Sequence, residues 1–111
     1  MITNTFKEDV AVLIDDNISY GEVRTDNTAP TVNDTDLIAG NASTKFSVSS
    51  VQTGRQVLVT YNLSSVHGNG STYKEYGTFL ANNDMVNRVI FTEIPKTESI
   101  ELQVSTLIEV V

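Results

Sequence analysis

Ile100-Glu101-Leu102-Gln103-Val104-Ser105-Thr106-Leu107-Ile108-Glu109-Val110-Val111 is the last stretch of the sequence, and its alternation decides the fold class. Ile100, Leu102, Val104, Thr106, Ile108 and Val110 fall on one side of an extended chain, while Glu101, Gln103, Ser105, Leu107 and Glu109 fall on the other. That period of two marks a strand with one face in a core. At about 3.3 Å per residue the stretch reaches roughly 35–40 Å, long for a small domain. It is expected either to bend between two sheets or to run past the body and pair with a neighbour.

Working back towards the N-terminus, the same period recurs. Val57, Val59, Tyr61 and Leu63 share one face. Phe46 and Val48 alternate with Ser47 and Ser49, and Gln52-Thr53-Gly54 supplies a hairpin turn. Tyr73, Glu75, Gly77 and Phe79 oppose Tyr76, Thr78 and Leu80 on a further strand. Asn82-Asn83-Asp84 tolerates the positive φ of a tight turn, and Met85, Val89 and Phe91 return from it. Ser64 to Ser71 holds two glycines and no period, and reads as a flexible loop. Ile18 to Val23 reads as a first strand. The loop that follows, Arg24 to Asp36, is rich in Thr, Asn and Asp; its Ala29-Pro30 cannot sit in a central strand. Leu37-Ile38-Ala39 is a brief apolar landing before the turn signal Gly40-Asn41.

One helix precedes these strands. Thr5-Phe6-Lys7-Glu8 fits a capping box. Phe6, Val10, Leu13 and Ile14 make one helical stripe, and Asp15-Asp16-Asn17 then stops the helix, with two carboxylates at the unfavourable negative end of its dipole. The expectation is therefore mainly β: a single antiparallel β-sandwich or barrel-like domain over residues 1–111, with a short N-terminal helix in 1–16 and the sandwich in 18–111.

Composition agrees with this and narrows the function. Thr, Val and Ile make up 36 of the 111 residues, side chains that suit a pleated surface. The formal net charge of -7 argues against a nucleic-acid partner, since phosphate binding needs a positive field. The seven Lys and Arg residues are scattered singly. No run approaches the roughly 18 apolar residues of a membrane span, so no membrane partner is expected, and MITNTFKEDV lacks the apolar core of a secretory signal. Zero cysteines exclude disulfides, thiol catalysis and cysteine metal sites within this sequence.

Catalytic patterns are sparse. His67, the single histidine, sits in the Gly/Ser loop without an acidic residue to orient it. Asp34 and Asp36 offer oxygen ligands for Ca²⁺, but Gly and an acidic twelfth position are not where a calcium loop needs them. Gly68-Asn69-Gly70 has no lysine of a phosphate loop after it. Asn17, Asn33, Asn41, Asn62 and Asn69 fit the glycosylation sequon, as expected by composition in a chain with this much Asn, Ser and Thr. No enzyme, cofactor or metal is expected. Tyr20, Tyr61, Tyr73 and Tyr76 either lie half-buried across strands or form a sugar-stacking platform.

Thr28-Ala29-Pro30-Thr31-Val32-Asn33-Asp34-Thr35-Asp36-Leu37 is followed, in order, by Glu75-Tyr76-Gly77-Thr78-Phe79, Arg88-Val89-Ile90-Phe91 and Ile94-Pro95-Lys96-Thr97-Glu98. This succession resembles small virion structural proteins of tailed phages and tailed archaeal viruses, with their TAPT-x-x-DT-x-L stretch, E-x-G-x-F strand, arginine strand and I-x-KT turn. The glycine-rich GTG that those proteins carry ahead of the stretch is replaced here by Arg24-Thr25-Asp26-Asn27. The resemblance implies a non-enzymatic protein located in the virion. It would assemble as a symmetric oligomer with copies of itself and with major capsid, tail or fibre proteins, in a decoration or cement role on the capsid or at the tail. The alternative is a tail-fibre or baseplate attachment part, or a host carbohydrate-binding adhesion module using the tyrosines and the Ser64–Ser71 loop.

Contact surface is expected on two segments. One is the loop, through Asp26, Pro30, Val32, Asp34 and Leu37. The other is the final strand, through Leu102, Val104, Thr106, Ile108 and Val110, from which deletion of residues 106–111 is expected to leave a soluble fold.

Overall fold

The computed structural model describes residues 1–37 and 44–111. The expected landing at Ile38-Ala39, the turn at Gly40-Asn41 and the sequon at Asn41 lie outside them. The described chain runs α1 (Asn4–Asn17), β1 (Ile18–Arg24), β2 (Phe46–Ser47), β3 (Ser49–Thr53), β4 (Gln56–Leu63), β5 (Thr72–Leu80), β6 (Met85–Pro95) and β7 (Leu102–Glu109). Two antiparallel sheets pack together, one ordered β2-β1-β5-β6 and the other β3-β4-β7.

The period-2 reading holds at its centre. Val57, Val59, Tyr61 and Leu63 on β4 are all fully buried. They serve two parts of the core. Tyr61 and Leu63 join Val23, Tyr73, Tyr76 and Leu102 between the sheets. Val57 and Val59 meet Ala11 and Ile18, so α1 roofs the stretch of β4 that the four-stranded sheet does not reach.

The helix differs in phase and in its N-terminal cap from its expected form. Thr3, not Thr5, is the N-cap: its hydroxyl accepts from the Phe6 N–H at 3.2 Å. Thr5 therefore lies inside the first turn and the Thr5–Glu8 box does not form. The inward stripe centres on Ala11, the one buried residue of α1, with Ile14 packed beside it, while Phe6 and Leu13 are exposed. Small Ala11 lets the helix axis approach the sheet, which a stripe of Phe6 and Leu13 would prevent. The helix ends at Asn17, within the Asp15-Asp16-Asn17 run where its stop is expected, and the Asn17 side-chain amide donates to the Leu13 carbonyl at 2.8 Å.

Phe46 to Thr53 is one extended segment that changes sheets. Phe46 pairs with Gly21 in the first sheet, Val48 N–H donates to the Ser19 carbonyl, and Ser49 already pairs with Thr60 in the second. This seam closes one side of the sandwich. The hairpins turn where expected, at Gly54 (φ 57) and at Asn83 (φ 70).

The last strand is shorter than its pattern. β7 spans 8 residues, every one paired with β4, and it neither changes sheets nor projects beyond the body. Ile100 belongs instead to a turn, its N–H donating to the Thr97 carbonyl. The longest strand is β6, at 11 residues.

The sheets approach closely where β1 crosses the tyrosines. A Cβ on Gly21 would sit 2.5 Å from Tyr61 Cδ2 and 2.9 Å from Tyr76 Cε2. Both rings are fully buried and rigidly held, so they cannot yield cheaply. Gly21→Ala is expected to destabilise the fold by about 1–3 kcal/mol through overpacking, read as a lower urea midpoint with an unchanged slope.

Candidate functional site: a clamped loop and an open groove

Alternation along β1 turns Gly21 and Val23 inward, so Glu22 and Arg24 lie on the outer face of the four-stranded sheet. Glu22 is 1% exposed and pairs with Arg24. On the neighbouring strands Glu75 is fully buried and the Arg88 side chain is 1% exposed. Charges this dry need partners. Arg88 Nε donates to Glu75 Oε2 at 2.7 Å and Nη1 donates to Asp34 Oδ2 at 3.2 Å, while Nη2 lies 3.8 Å from Asp26 Oδ1.

Asp26 and Asp34 come from residues 25–37, which are laid over this face. That is why β5 is buried on both faces, from Glu75 through Phe79, and not only on its inner one. Leu37 completes the seat: a Cβ on Gly77 would stand 2.9 Å from Leu37 Cδ2, so the glycine makes room for the leucine. The segment also braces itself. Asp26 accepts from Thr28 N–H at 2.7 Å, and Asp34 accepts from Thr31 N–H at 2.9 Å and from the Thr31 hydroxyl at 3.0 Å.

These contacts set the local acid–base chemistry. The Thr28 hydrogen bonds lower the Asp26 carboxyl below the usual range, with Arg88 and Lys74 assisting. The Thr31 N–H does the same for Asp34, helped by its hydroxyl and by Arg88. For Arg88, burial disfavours the cation, but Glu75 and Asp34 together outweigh it and hold the proton more tightly than usual.

Of the loop residues expected at a contact surface, the structure therefore separates two kinds. Asp26, Asp34 and Leu37 fasten the loop to the sheet. Pro30 and the fully exposed Val32 project outward, beside a cavity of about 150 Å³ reaching Arg88. The expected residues of the final strand face inward. Leu102 is 5% exposed, Val104 packs against the tyrosine cluster, and Ile108 and Val110 pack against Val57 and Val59. Thr106 shares that face opposite Val59. Losing 106–111 would open the core, so this strand is no dispensable extension.

Beside β7 the sandwich is open. A groove of about 490 Å³ runs between the β6 and β7 edges, lined by Val89, Phe91, Ile94, Leu102 and Val104 among others.

The other candidates resolve differently. Tyr61, Tyr73 and Tyr76 are buried, with Tyr61 donating to the Thr44 carbonyl at 2.6 Å and Tyr73 to the Gly68 carbonyl at 2.7 Å. They form core, not a sugar platform. Exposed His67 rests against the Phe46 ring at 4.7 Å. The tract Ser64–Ser71 is anchored where free flexibility was expected: Gly70 N–H donates to the Lys96 carbonyl, and buried Lys96 Nζ donates to Asn69 Oδ1 at 2.8 Å. The sequence signal for this anchor, a lysine after Ile94-Pro95, is one that a solvent-exposed lysine would share. Among the described residues no three metal-ligating side chains converge on a cation site, and no helix is long and apolar enough to cross a membrane.

Arg88→Met should leave Glu75 buried without its hydrogen-bonded cation and cost about 3–5 kcal/mol, measured by chemical denaturation. The loop should also respond to acid. Because Asp26 and Asp34 titrate below their unfolded value of 3.8, their contribution is present above that value and is lost as pH falls through the lowered values. NMR should show both carboxyl carbons titrating below 3.8, with the Thr28 and Thr31 amide shifts moving together with them.

No family model matches this sequence, and no curated protein matches it significantly.

Proposed function

We propose that the chain is a non-enzymatic structural protein of a tailed virus particle, assembling in the virion with copies of itself and with capsid or tail proteins. The observation that carries this reading is the meeting of the motif segments in space. Asp34 and Leu37 come from the TAPT-type stretch, Glu75 and Gly77 from the E-x-G-x-F strand, and Arg88 from the arginine strand. Residues distant in sequence make one ion-paired seat, in which Asp34 meets Arg88, 54 positions on, and Leu37 lies on Gly77. Lys96 of the I-x-KT turn pins the tract before β5.

The first three motifs thus have a common physical purpose, which is to hold one loop in one shape, while the fourth holds the tract Ser64–Ser71. Such a loop, clamped at Asp26, Asp34 and Leu37 with Pro30 and Val32 projecting, is suited to docking against a neighbouring particle protein. Rigid presentation lowers the ordering entropy that binding would otherwise cost.

Purified particles of the encoding virus should contain the protein by mass spectrometry. Val32→Asp changes a side chain outside the fold, so the variant should keep wild-type thermal stability yet fall at least severalfold in copies per particle. A chain absent from particles overturns the virion role, and full incorporation of Val32→Asp overturns docking through the loop.

A further inference from the structure

The two edges of the three-stranded sheet are unlike. β3 continues from β2 through the seam, whereas β7 ends the sheet with nothing beside it among the described residues. Val110 N–H donates to the Arg55 carbonyl at 2.9 Å, in register with the β4–β7 ladder. Backbone groups alternate sides along a strand. The even-numbered residues of β7 therefore turn their N–H and C=O to β4, and Gln103, Ser105, Leu107 and Glu109 turn theirs outward.

Natural edges are guarded by Lys, Pro or inward charges. Leu102–Glu109 has none of these, and its one charged residue is Glu109. β6, across the groove, ends on Pro95 and carries Arg88 and Glu93. In a chain of net charge -7 most mutual approaches are repulsive, and β7 is a line of approach nearly free of charge.

We propose that β7 pairs antiparallel with β7 of a second copy about a two-fold axis through Thr106, joining two three-stranded sheets into one of six strands. Charge and side-chain hydrogen bonding together favour this register. In an antiparallel pair the residues opposite one another share a face, so the axis must pass through a residue. An axis at Ser105 sets Glu101 against Glu109. An axis at Thr106 instead sets Gln103 against Glu109, an amide donor against a carboxylate, and Ser105 against Leu107, with their outward backbone groups bonded. On the inner face Val104 meets Ile108. The second copy's strand then lies over the groove, covering Val89, which is 38% exposed, and Phe91. One contact satisfies the free edge and closes the open side together. This inference deepens the assembly reading above and rests on it for the second copy as occupant.

Sedimentation equilibrium of the full-length chain from micromolar to sub-millimolar concentration should show a monomer–dimer equilibrium. Gln103→Glu places like charges opposite one another twice per dimer and should weaken dimerisation by about tenfold. Gln103→Lys should tighten it severalfold, both effects fading with salt. Ser105→Pro removes an N–H directed away from β4, so it should abolish the dimer while circular dichroism stays unchanged. A chain monomeric throughout that range, or a dimer indifferent to the charge of residue 103, overturns the proposal. Should Ser105→Pro unfold, the opposed responses of the two Gln103 variants still decide it. Particles lacking the protein would remove the virion role and leave this contact standing, while a monomeric chain found in particles would do the reverse.

Discussion

A guanidinium with 1% of its side chain exposed governs the outer half of this molecule. Arg88 sits on a face that an ordinary antiparallel sheet leaves to water. Burying it is tolerable only where carboxylates supply both charge and acceptors. Glu75 gives the first from the neighbouring strand, and the chain must bring Asp34 and Asp26 from a long connection to supply the rest. The loop's path, the burial of β5 on both faces and the need for glycine beneath Leu37 all follow from that one charge. The sandwich is thereby a three-layered object on one flank and a bare sheet on the other. On the bare flank Val51, Leu58 and Leu107, which pair in register across three strands, stand exposed.

The strands were legible in the sequence because a side chain's face depends on parity alone. Val57, Val59, Tyr61 and Leu63 could be placed together with no knowledge of what lies opposite. Turns were legible for a similar local reason, since Asn83 and Gly54 accept a positive φ that their neighbours resist. The phase of α1 was not. Phe6 and Leu13 are the larger side chains, but distance to the sheet decides which arc faces in, and Ala11 wins by being small. The extent of β7 was misread because alternation persists through Ile100 and Glu101 into a turn.

The site was legible only in outline. The segment 24–37 stood out by composition, and its prolyl and acidic residues were singled out. Which of them would hold and which would project depends on Arg88, 54 positions beyond Asp34. Glu75 and Arg88 read as the polar members of alternating strands, and no local rule says that a polar face will be covered. Lys96 is a parallel case: its burial depends on Asn69, in a tract whose glycines suggested freedom.

The pairing of β1 has a consequence in time. Its central partner is β5, with Ile18 opposite Leu80 and Arg24 opposite Glu75, and its other partner, β2, is only two residues long. During synthesis α1 and β1 emerge before their partners: α1 waits for Val57 and Val59 on β4, and β1 waits longer still, for Thr72–Leu80. The β3–β4 and β5–β6 hairpins close locally and early, whereas the N-terminal quarter waits on the most distant contacts in the fold. The segment made first is thus among the last to be fixed.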